Sequence, residues 1–417
     1  MGGFFGKVAS VVSAIVFFGA LALVVKQGLV QLWHKQGAYI PLREAEDEKD
    51  YRLILIWVAI GSLFIYSVAL WGQYRYYGWP DSWYELFYRA MVKADAYHYM
   101  EIAKNGYTAI GPTRFFVVFF PLFPYLTRLL NYVVGNFVIS AVILNHICLY
   151  VGCVFMYKLG CIDYGRDAAL RAVRYLVFFP MAFFFRNPYT EALFFMLSAI
   201  SLYYCRRHQF LLAGIAGAFC AFTRVTGMIT LGVIIIEAFF LAYHKGRDGG
   251  VKLFFQKGWP ALIVPSGFGG FMWINYIVTG NWFMFLVHQK EHWSNWFRLF
   301  PYAVGMIAEY MINNRHVHQI GHWVSQFIAI WLFLWLIVYG IKRLRFAHSM
   351  YNLVYFLLMI STNWLLSGAR YLMCMFPALY SLAIATKKPW LDWTVTALFV
   401  AGLGIMTFLF AIGHNIY

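Results

Sequence analysis

The sequence predicts an all-α protein, a polytopic bundle of transmembrane helices with about 12 crossings. Three observations support this fold class: 62% of the 417 residues are hydrophobic, 21% are aromatic and only 12% are charged. A soluble chain of this length cannot bury so much apolar surface, and the same composition excludes a disordered chain. The six cysteines lie within or at the ends of apolar runs without a CxxC pair, which excludes a secreted disulfide scaffold.

Apolar runs long enough to span a bilayer, roughly 20 residues each, mark the crossings in chain order. We predict them at residues 8–25, 52–71, 137–157, 170–185, 190–205, 210–223, 226–243, 259–278, 322–341, 347–365, 371–386 and 390–412. The stretch 115–132 is treated differently, because Pro121 and Pro124 interrupt a helix there. We interpret this stretch as an interfacial or re-entrant piece.

The chain has a net charge of +16, but its cations do not form the stripe typical of a nucleic-acid-binding face. No nucleic-acid partner is therefore predicted. Most of the 33 Lys and Arg residues lie in short segments between crossings, near residues 26–52, 158–174, 206–207, 245–257, 342–345 and 387–388. The positive-inside rule places these segments in the cytoplasm. The longer loops 73–136 and 279–321 then lie on the non-cytoplasmic face of a cell membrane.

The chain divides into two parts by composition. Residues 1–51 hold an N-terminal helix and a charged loop that we predict to be cytoplasmic. Residues 52–417 hold the remaining crossings and both outer loops. The first helix lacks a small-residue cleavage site followed by a soluble domain, so we interpret it as a retained helix and not as a signal peptide.

The first outer loop predicts two short helices that lie in the membrane interface. DSWYELFYRAM and DAYHYMEIAKNG each begin with an aspartate, a common helix cap, and carry aromatic residues at helical spacing. Capping is a sufficient explanation for Asp81. Asp95 has different neighbours, since His98 and Tyr99 follow it on the same helix. A partly desolvated carboxylate facing a membrane groove is suited to take a proton from a sugar hydroxyl.

Three arginines lie at short outer turns, against the topological trend. They are Arg186, Arg224 and Arg370. Converging guanidinium groups suit an anionic phosphate, and we predict that the three approach one outward-facing cavity. The alternative is that each extends separately to lipid headgroups. The turn from Arg186 to Glu191 has a second interpretation of equal weight, in which Thr190 caps the next helix and Glu191 lies in its first turn.

The second outer loop contains histidine pairs with metal-ligand spacing. His288 and His292 lie four residues apart, and His316 and His318 lie two apart. The chain has no HExxH motif, and we expect no carboxylate at ligand spacing to complete either pair. The sequence therefore predicts that no metal or other cofactor is required, with a divalent metal as the less favoured alternative.

Four stretches of the chain together resemble a known family. In order between about residues 90 and 385 they are KADAYHYMEIAKNGY with FFPLFP, FFPMAFFFRNPYTEALFF, GAFCAFTRVTG and SGARYLMCMFPALY. They are similar to bacterial relatives of the PIG-V mannosyltransferases, a family of GT-C glycosyltransferases. The resemblance implies a GT-C bundle that takes a sugar, usually mannose, from a polyprenyl monophosphate on the non-cytoplasmic face. It also implies a catalytic carboxylate, which Asp95 matches, although Ala94 stands where the family usually has Trp.

The outer-turn pattern and the resemblance together nominate the residues that bind substrate. Gln289 and Trp293 are candidates through the resemblance, because they are similar to a Gln and a Trp that the family has after its middle outer loop. The full set of candidates beside Asp95 is His98, Tyr99, Arg186, Tyr189, Glu191, Arg224, Gln289, Trp293, Arg370 and Tyr371.

These observations predict an inverting membrane hexosyltransferase, similar to a mannosyltransferase. Asp95 would deprotonate a hydroxyl of a glycan, glycolipid or protein acceptor, and the lipid phosphate would leave; a single carboxylate base fits inversion. A ligase or polymerase of lipid-linked glycans shares the same layout and stays an alternative. A lipid or glycolipid transporter or flippase is the alternative from a different class, and it would place ionisable residues near the bilayer centre.

Overall fold

A computed structural model of the chain describes residues 2–33, 47–245, 247–313, 317–414 and 416. The α-helices of these ranges are α1 (Gly2–Trp33), α2 (Glu48–Tyr77), α3 (Trp83–Met91), α4 (Asp95–Asn105), α5 (Leu122–Val134), α6 (Phe137–Tyr164), α7 (Arg166–Val177), α8 (Glu191–Arg206), α9 (Phe210–Thr223), α10 (Ile229–Lys245), α11 (Arg247–Gly258), α12 (Val264–Thr279), α13 (Met284–Glu291), α14 (Pro301–Asn313), α15 (Val317–Gly340), α16 (Phe346–Ile360), α17 (Gly368–Met373), α18 (Pro377–Ala385) and α19 (Pro389–Ala411). Short 3₁₀ turns cover Arg114–Val118, Ala182–Phe185, Val225–Met228 and Trp259–Ile263. The predicted all-α fold class is confirmed.

Within the described ranges, seven helices are long and apolar enough to cross a membrane. They are Gly3–Leu32, Glu48–Tyr77, Phe137–Tyr164, Val225–His244, Gly249–Thr279, His322–Gly340 and Pro389–Ala411. Each coincides with a predicted crossing. Shorter apolar helices, Phe210–Thr223 and Phe346–Ile360, occupy two further predicted positions. The chain is a multi-pass membrane protein by these lengths and compositions.

Two predicted crossings are not continuous helices, and both are interrupted near a proline. The crossing predicted at 170–185 consists of α7, which is about 18 Å long at 1.5 Å per residue, and the 3₁₀ turn Ala182–Phe185. Pro180 lies between them and cannot continue the helical hydrogen bonds. The crossing predicted at 371–386 is likewise split into α17 and α18, with Pro377 at the start of the second helix.

The first outer loop folds into the short helices α3, α4 and α5. The predicted cap Asp81 is replaced by its neighbour: Ser82 Oγ accepts a hydrogen bond from the backbone N–H of Glu85, and α3 starts after it. The two prolines of the 115–132 stretch lie at the start of α5, Pro121 before it and Pro124 in its first turn. With 13 residues, α5 is about 20 Å long, too short to span a bilayer core.

Close helix contacts in the bundle depend on small residues. A Cβ added to Gly152 of α6 would lie 2.6 Å from the ring of Phe195 on α8, and one added to Gly160 would lie 2.7 Å from Ala169 on α7. Such residues let helices approach each other where no hydrophobic effect drives them together. The N-terminal helix joins the bundle in the same way, since Gly6 of α1 packs against the backbone of Gly305 on α14.

The innermost of these helices is α8, nearly all of whose residues are buried. It begins at Glu191 and ends at Arg206, and both of these charged residues are buried as well. Sixteen residues give a length of about 24 Å, so the two charges lie at opposite ends of the bundle. One charged cluster forms around each end of α8.

Candidate active site

Asp95 stands at the start of α4, directly after a strained residue. Ala94 has φ 45° and ψ −124°, and the N–H of Ala96 donates to the carbonyl of Lys93 over 3.0 Å. These values match the first central residue of a type II′ turn, a position that favours glycine because a Cβ is strained there. The strained turn sends the chain into α4 with Asp95 as its first residue, and strain of this kind is common at functional sites.

A chain of four charged side chains links Asp95 to α8. Arg370 Nη1 donates to Asp95 Oδ2 over 3.0 Å, and Arg370 Nε donates to Glu191 Oε1 over 2.5 Å. Arg224 Nη1 donates to the same Glu191 oxygen over 2.9 Å. We call these four residues the outer ionic cluster. Its two positive and two negative charges balance formally. A buried site needs such a balance to keep its side chains ionised.

The members of the outer ionic cluster differ in their access to solvent. Glu191 is fully buried and the Arg370 side chain is 2% exposed, whereas Arg224 is 16% and Asp95 29% exposed. Arg370 and Glu191 therefore form the interior support of the cluster. Asp95 and Arg224 are its two partly exposed members.

Aromatic rings fix the two guanidinium groups from the sides. The Arg370 guanidinium lies 4.4 Å from the ring centre of Tyr189 and 4.7 Å from that of Phe184, and Arg224 lies 4.8 Å from that of Tyr371. Cation–π contacts of this kind stabilise a charge in a poorly hydrated place. The Tyr189 hydroxyl also donates to the carbonyl of Lys93 over 2.6 Å. Tyr189 thus joins the turn before Asp95 to the turn before α8.

Asn145 of α6 holds the turn that leads into α8, and the sequence analysis did not identify it. Its amide donates to the carbonyls of Asn187 and Tyr189, the latter over 3.0 Å. Asn145 is buried, and a buried backbone carbonyl needs such a partner. The only sequence signal was the polar pair Asn145–His146 in an apolar run. That signal does not say which backbone the side chain meets.

The structure does not bring Arg186 into the outer ionic cluster, which corrects the prediction that three arginines share one cavity. Its side chain is fully buried, and it donates to Ser62 Oγ over 3.0 Å and to the carbonyl of Ala182 over 2.9 Å. Ser62 lies near the middle of α2. The 3₁₀ turn Ala182–Phe185 directs Arg186 toward α2, away from the side of α8 on which Glu191 meets the other two arginines.

His98 and Trp293 belong to an aromatic group beside Asp95. The His98 ring centre lies 4.5 Å from that of Phe116, 4.9 Å from that of Phe119 and 6.3 Å from that of Trp293. Burial lowers the pKa of His98, and the charge of Asp95 opposes that shift. His98 is accordingly neutral at pH 7 and offers an imidazole for hydrogen bonding.

Two further candidates lie on α4 and α13. Tyr99 is buried on α4, where its ring packs edge-on against Phe119 and Phe123. Burial raises its pKa, so the phenol stays protonated. Gln289 lies on α13, half-buried, and its backbone carbonyl accepts from the N–H of Asn295 over 3.1 Å.

The histidine pair on α13 has a carboxylate neighbour, contrary to expectation. Ligand atoms of His288, Glu291 and His292 all lie within 4.8 Å of one another. The signal was present in the sequence, because residues i, i+3 and i+4 share one face of a helix. The other expected pair, His316 and His318, falls outside the side chains that the structure describes.

Comparison with known proteins gives structural neighbours but no sequence relatives: no family model and no curated protein sequence matches the chain. The structure of ArnT from Cupriavidus metallidurans bound to undecaprenyl phosphate matches with a TM-score of 0.52 and 14% identity. The match covers 83% of this chain and 62% of ArnT. This chain thus spans about three fifths of the length of ArnT.

Two structures of the Archaeoglobus fulgidus oligosaccharyltransferase match less closely. The apo form gives a TM-score of 0.45 at 11% identity, and the match covers 87% of this chain and 56% of the transferase. The complex of AglB with an inhibitory peptide and a dolichol-phosphate gives 0.44 at 11% identity and covers 89% and 56%. At these identities the similarity concerns the fold alone, and it rests on the match to ArnT, whose TM-score is 0.52. The expected fold, a bundle of membrane helices, is confirmed and is similar to that of ArnT.

Proposed function

We propose that this chain is an inverting membrane glycosyltransferase that uses a polyprenyl-phosphate sugar donor on the non-cytoplasmic face of the membrane. The observation that carries the proposal is the geometry of Asp95. Its Oδ2 accepts from the buried Arg370, while the side chain as a whole is 29% exposed. A carboxylate that is held through one oxygen in a partly exposed side chain is arranged to act as a general base through the other.

The reaction is a single displacement. Asp95 Oδ1 takes the proton of the acceptor hydroxyl, and the hydroxyl oxygen forms a bond to the anomeric carbon. The bond from that carbon to the phosphate oxygen breaks, and its electron pair leaves with the polyprenyl phosphate. The products are the glycosylated acceptor, the lipid phosphate and a proton on Asp95. Attack opposite the leaving group inverts the anomeric centre.

Arg224 is the group that we assign to the donor phosphate. One of its amino groups is bonded to Glu191, and the side chain is 16% exposed, so its remaining donors are available to an anion. Arginine keeps its charge in a poorly hydrated site and can bind phosphate through two parallel hydrogen bonds. Stabilising the charge that develops on a leaving group is a large term in catalysis. Arg370 positions Asp95 and does not itself reach the substrate.

Two lines support the substrate class. The fold is that of ArnT, whose structure was determined with undecaprenyl phosphate bound. The resemblance of four outer stretches to the PIG-V family supports mannose as the sugar. We assign His98, Trp293 and Gln289, which lie on α4 and in the second outer loop, to the sugar and acceptor side of the site. The scheme needs no metal.

The experiment is a transfer assay with the full chain in liposomes. Polyprenyl-phosphate mannose with a radiolabelled sugar is supplied together with glycan, glycolipid or peptide acceptors. We expect label to move from the lipid to an acceptor, to be lost in Asp95→Asn, and to be unchanged by a chelator. Movement of intact labelled donor across the bilayer without transfer would instead establish the flippase alternative.

A further inference from the structure

A second charged cluster lies at the Arg206 end of α8. The proposed reaction places neither the donor nor the acceptor there. Arg206 Nε donates to Asp163 Oδ1 over 2.7 Å, and Arg345 binds both oxygens of Glu237. Arg345 also lies 3.9 Å from Asp163. We call these four residues the inner ionic cluster. Arg206 is about 22 Å along the axis of α8 from Glu191.

A cavity of about 580 Å³ opens beside the inner ionic cluster. Its walls come from α1, the end of α6, α10 and the connection between α15 and α16. The apolar part of its lining includes Leu23, Val30, Phe240, Leu344 and Phe346. Three further cations also line it, namely Lys26, Lys342 and Arg343. The cavity is therefore lined by both apolar and basic side chains.

The charges of the lining do not balance. Asp163 and Glu237 are matched by Arg206 and Arg345 of the inner ionic cluster. The side chains of Lys26, Lys342 and Arg343 are exposed, and Arg343 donates through one amino group to the carbonyl of Tyr339 over 2.9 Å. Among the residues that the structure describes, they add three positive charges beyond that balance. An excess of this kind attracts an anion.

The position of the cavity indicates that the anion is a lipid. Leu23 and Val30 belong to the exposed apolar face of α1, a helix long enough to cross the membrane. Lys26 lies about 10 Å before the end of α1, and Lys342 and Arg343 directly follow α15, so all three are near the ends of helices long enough to cross a membrane. A soluble anion would not need the apolar wall that continues from the rim into the bilayer-facing surface.

We propose that this cavity binds an anionic phospholipid, with its phosphate among Lys26, Lys342 and Arg343 and an acyl chain along the apolar wall of α1. Basic pockets between transmembrane helices are suited to lipid headgroups of this kind. The site is separate from the proposed donor site, because the two clusters lie at opposite ends of α8. It does not depend on the proposed transfer reaction.

The test measures lipid binding to the purified full chain in detergent by native mass spectrometry, with phosphatidylglycerol as the probe. The cavity variant combines Lys26→Gln, Lys342→Gln and Arg343→Gln. The control combines Lys252→Gln, Lys387→Gln and Lys388→Gln, which removes three exposed cations outside the cavity. At about 1 kcal/mol per cation near a headgroup, the loss of three cations weakens binding by about 3 kcal/mol, so we expect about 100-fold weaker binding in the cavity variant. The control is expected to stay within about twofold of the natural chain.

Three outcomes would overturn the proposal. The first is an equal loss of lipid binding in both variants, which would assign it to overall charge. The second is competition by inorganic phosphate at the concentration of the lipid, which would make this a site for a soluble anion. The third is binding of undecaprenyl phosphate without binding of phosphatidylglycerol, which would make it a second site for the carrier lipid.

Discussion

At the scale of single residues, Asp95 performs two tasks that one substitution separates. Its carboxylate accepts a hydrogen bond from Arg370 and, in the proposed mechanism, a proton from the acceptor. An asparagine at this position would keep an oxygen for Arg370 but could not take the proton. We expect Asp95→Asn to lower transfer about 100-fold or more, the usual contribution of a general base, in a protein that still folds.

The matched control for this substitution is Asp81→Asn, since Asp81 is exposed and lies just before the neighbouring helix α3. It should transfer sugar at the natural rate. Turnover of the Asp95→Asn enzyme close to that of the control, in the liposome assay, would remove Asp95 from the mechanism.

The two arginines of the outer ionic cluster predict different kinetic effects. Lysine keeps the charge but loses the planar fork, so it cannot span Asp95 and Glu191 as Arg370 does. Arg370→Lys should lower kcat with little change in the KM for the donor, because Asp95 loses its fixed position. Arg224→Lys should raise the donor KM. Steady-state kinetics would contradict the assignment if the two variants showed the same pattern.

Ala94 carries strain that a smaller residue would release. A non-glycine residue at this φ and ψ costs about 1 kcal/mol or more. Ala94→Gly should therefore raise the midpoint of thermal unfolding in detergent. The control Ala103→Gly, inside α4, should lower it, since glycine weakens a helix interior by about 1 kcal/mol relative to alanine. A fall in both variants would show that Ala94 is relaxed.

The residues of the site were only partly predictable from the sequence. Topology placed Asp95, Glu191, Arg224 and Arg370 at one membrane face, because turn positions can be read from apolar runs and charge. It could not say which of them pair. Arg186 shows the limit most clearly: it occupies the same kind of turn, but the winding of the preceding 3₁₀ segment sends its side chain to Ser62.

At the scale of elements, the turn from Asn187 to Glu191 depends on α6. Asn145→Ala removes the donor to two buried carbonyls, and each unsatisfied group costs about 1–3 kcal/mol. We expect a clear fall in the thermal midpoint together with lower transfer. Ser140→Ala on the same helix removes only a bond to the start of its own helix, from Oγ to the carbonyl of Asn136, and should have a small effect. Equal effects of the two substitutions would contradict a role for Asn145 in holding the turn.

The elements themselves were predictable where apolar length alone decides them. Seven of the predicted crossings are long apolar helices of the described chain. The sequence pattern failed at 170–185 and 371–386, where apolar composition continues through the breaks around Pro180 and just before Pro377 although the helix does not. In a bundle interior, buried turns are as apolar as helices, so hydropathy does not mark their ends.

At the scale of the whole molecule, the orientation in the membrane stays a prediction and is directly testable. The natural cysteines that the structure describes are all buried, so an introduced surface cysteine gives a clear signal. Lys104→Cys, at an exposed position in the last turn of α4, should react with an impermeant maleimide in intact cells. Lys252→Cys, on α11, should react only after the membrane is permeabilised. The reverse labelling pattern would invert the proposed topology.

The burial of α8 limits how a substrate can enter. Because ion pairs hold α8 at both of its ends, a movement of the helix along its axis would break three ion pairs at once. These ion pairs hold α8 in place, so a conformational change that admits a substrate has to involve other helices. The helices α5 and α13 belong to the outer loops and are too short to span a membrane, so we expect them, and not α8, to move when a long-tailed lipid enters. Amide hydrogen exchange is then expected to be slowest in α8 and fastest in α5 and α13.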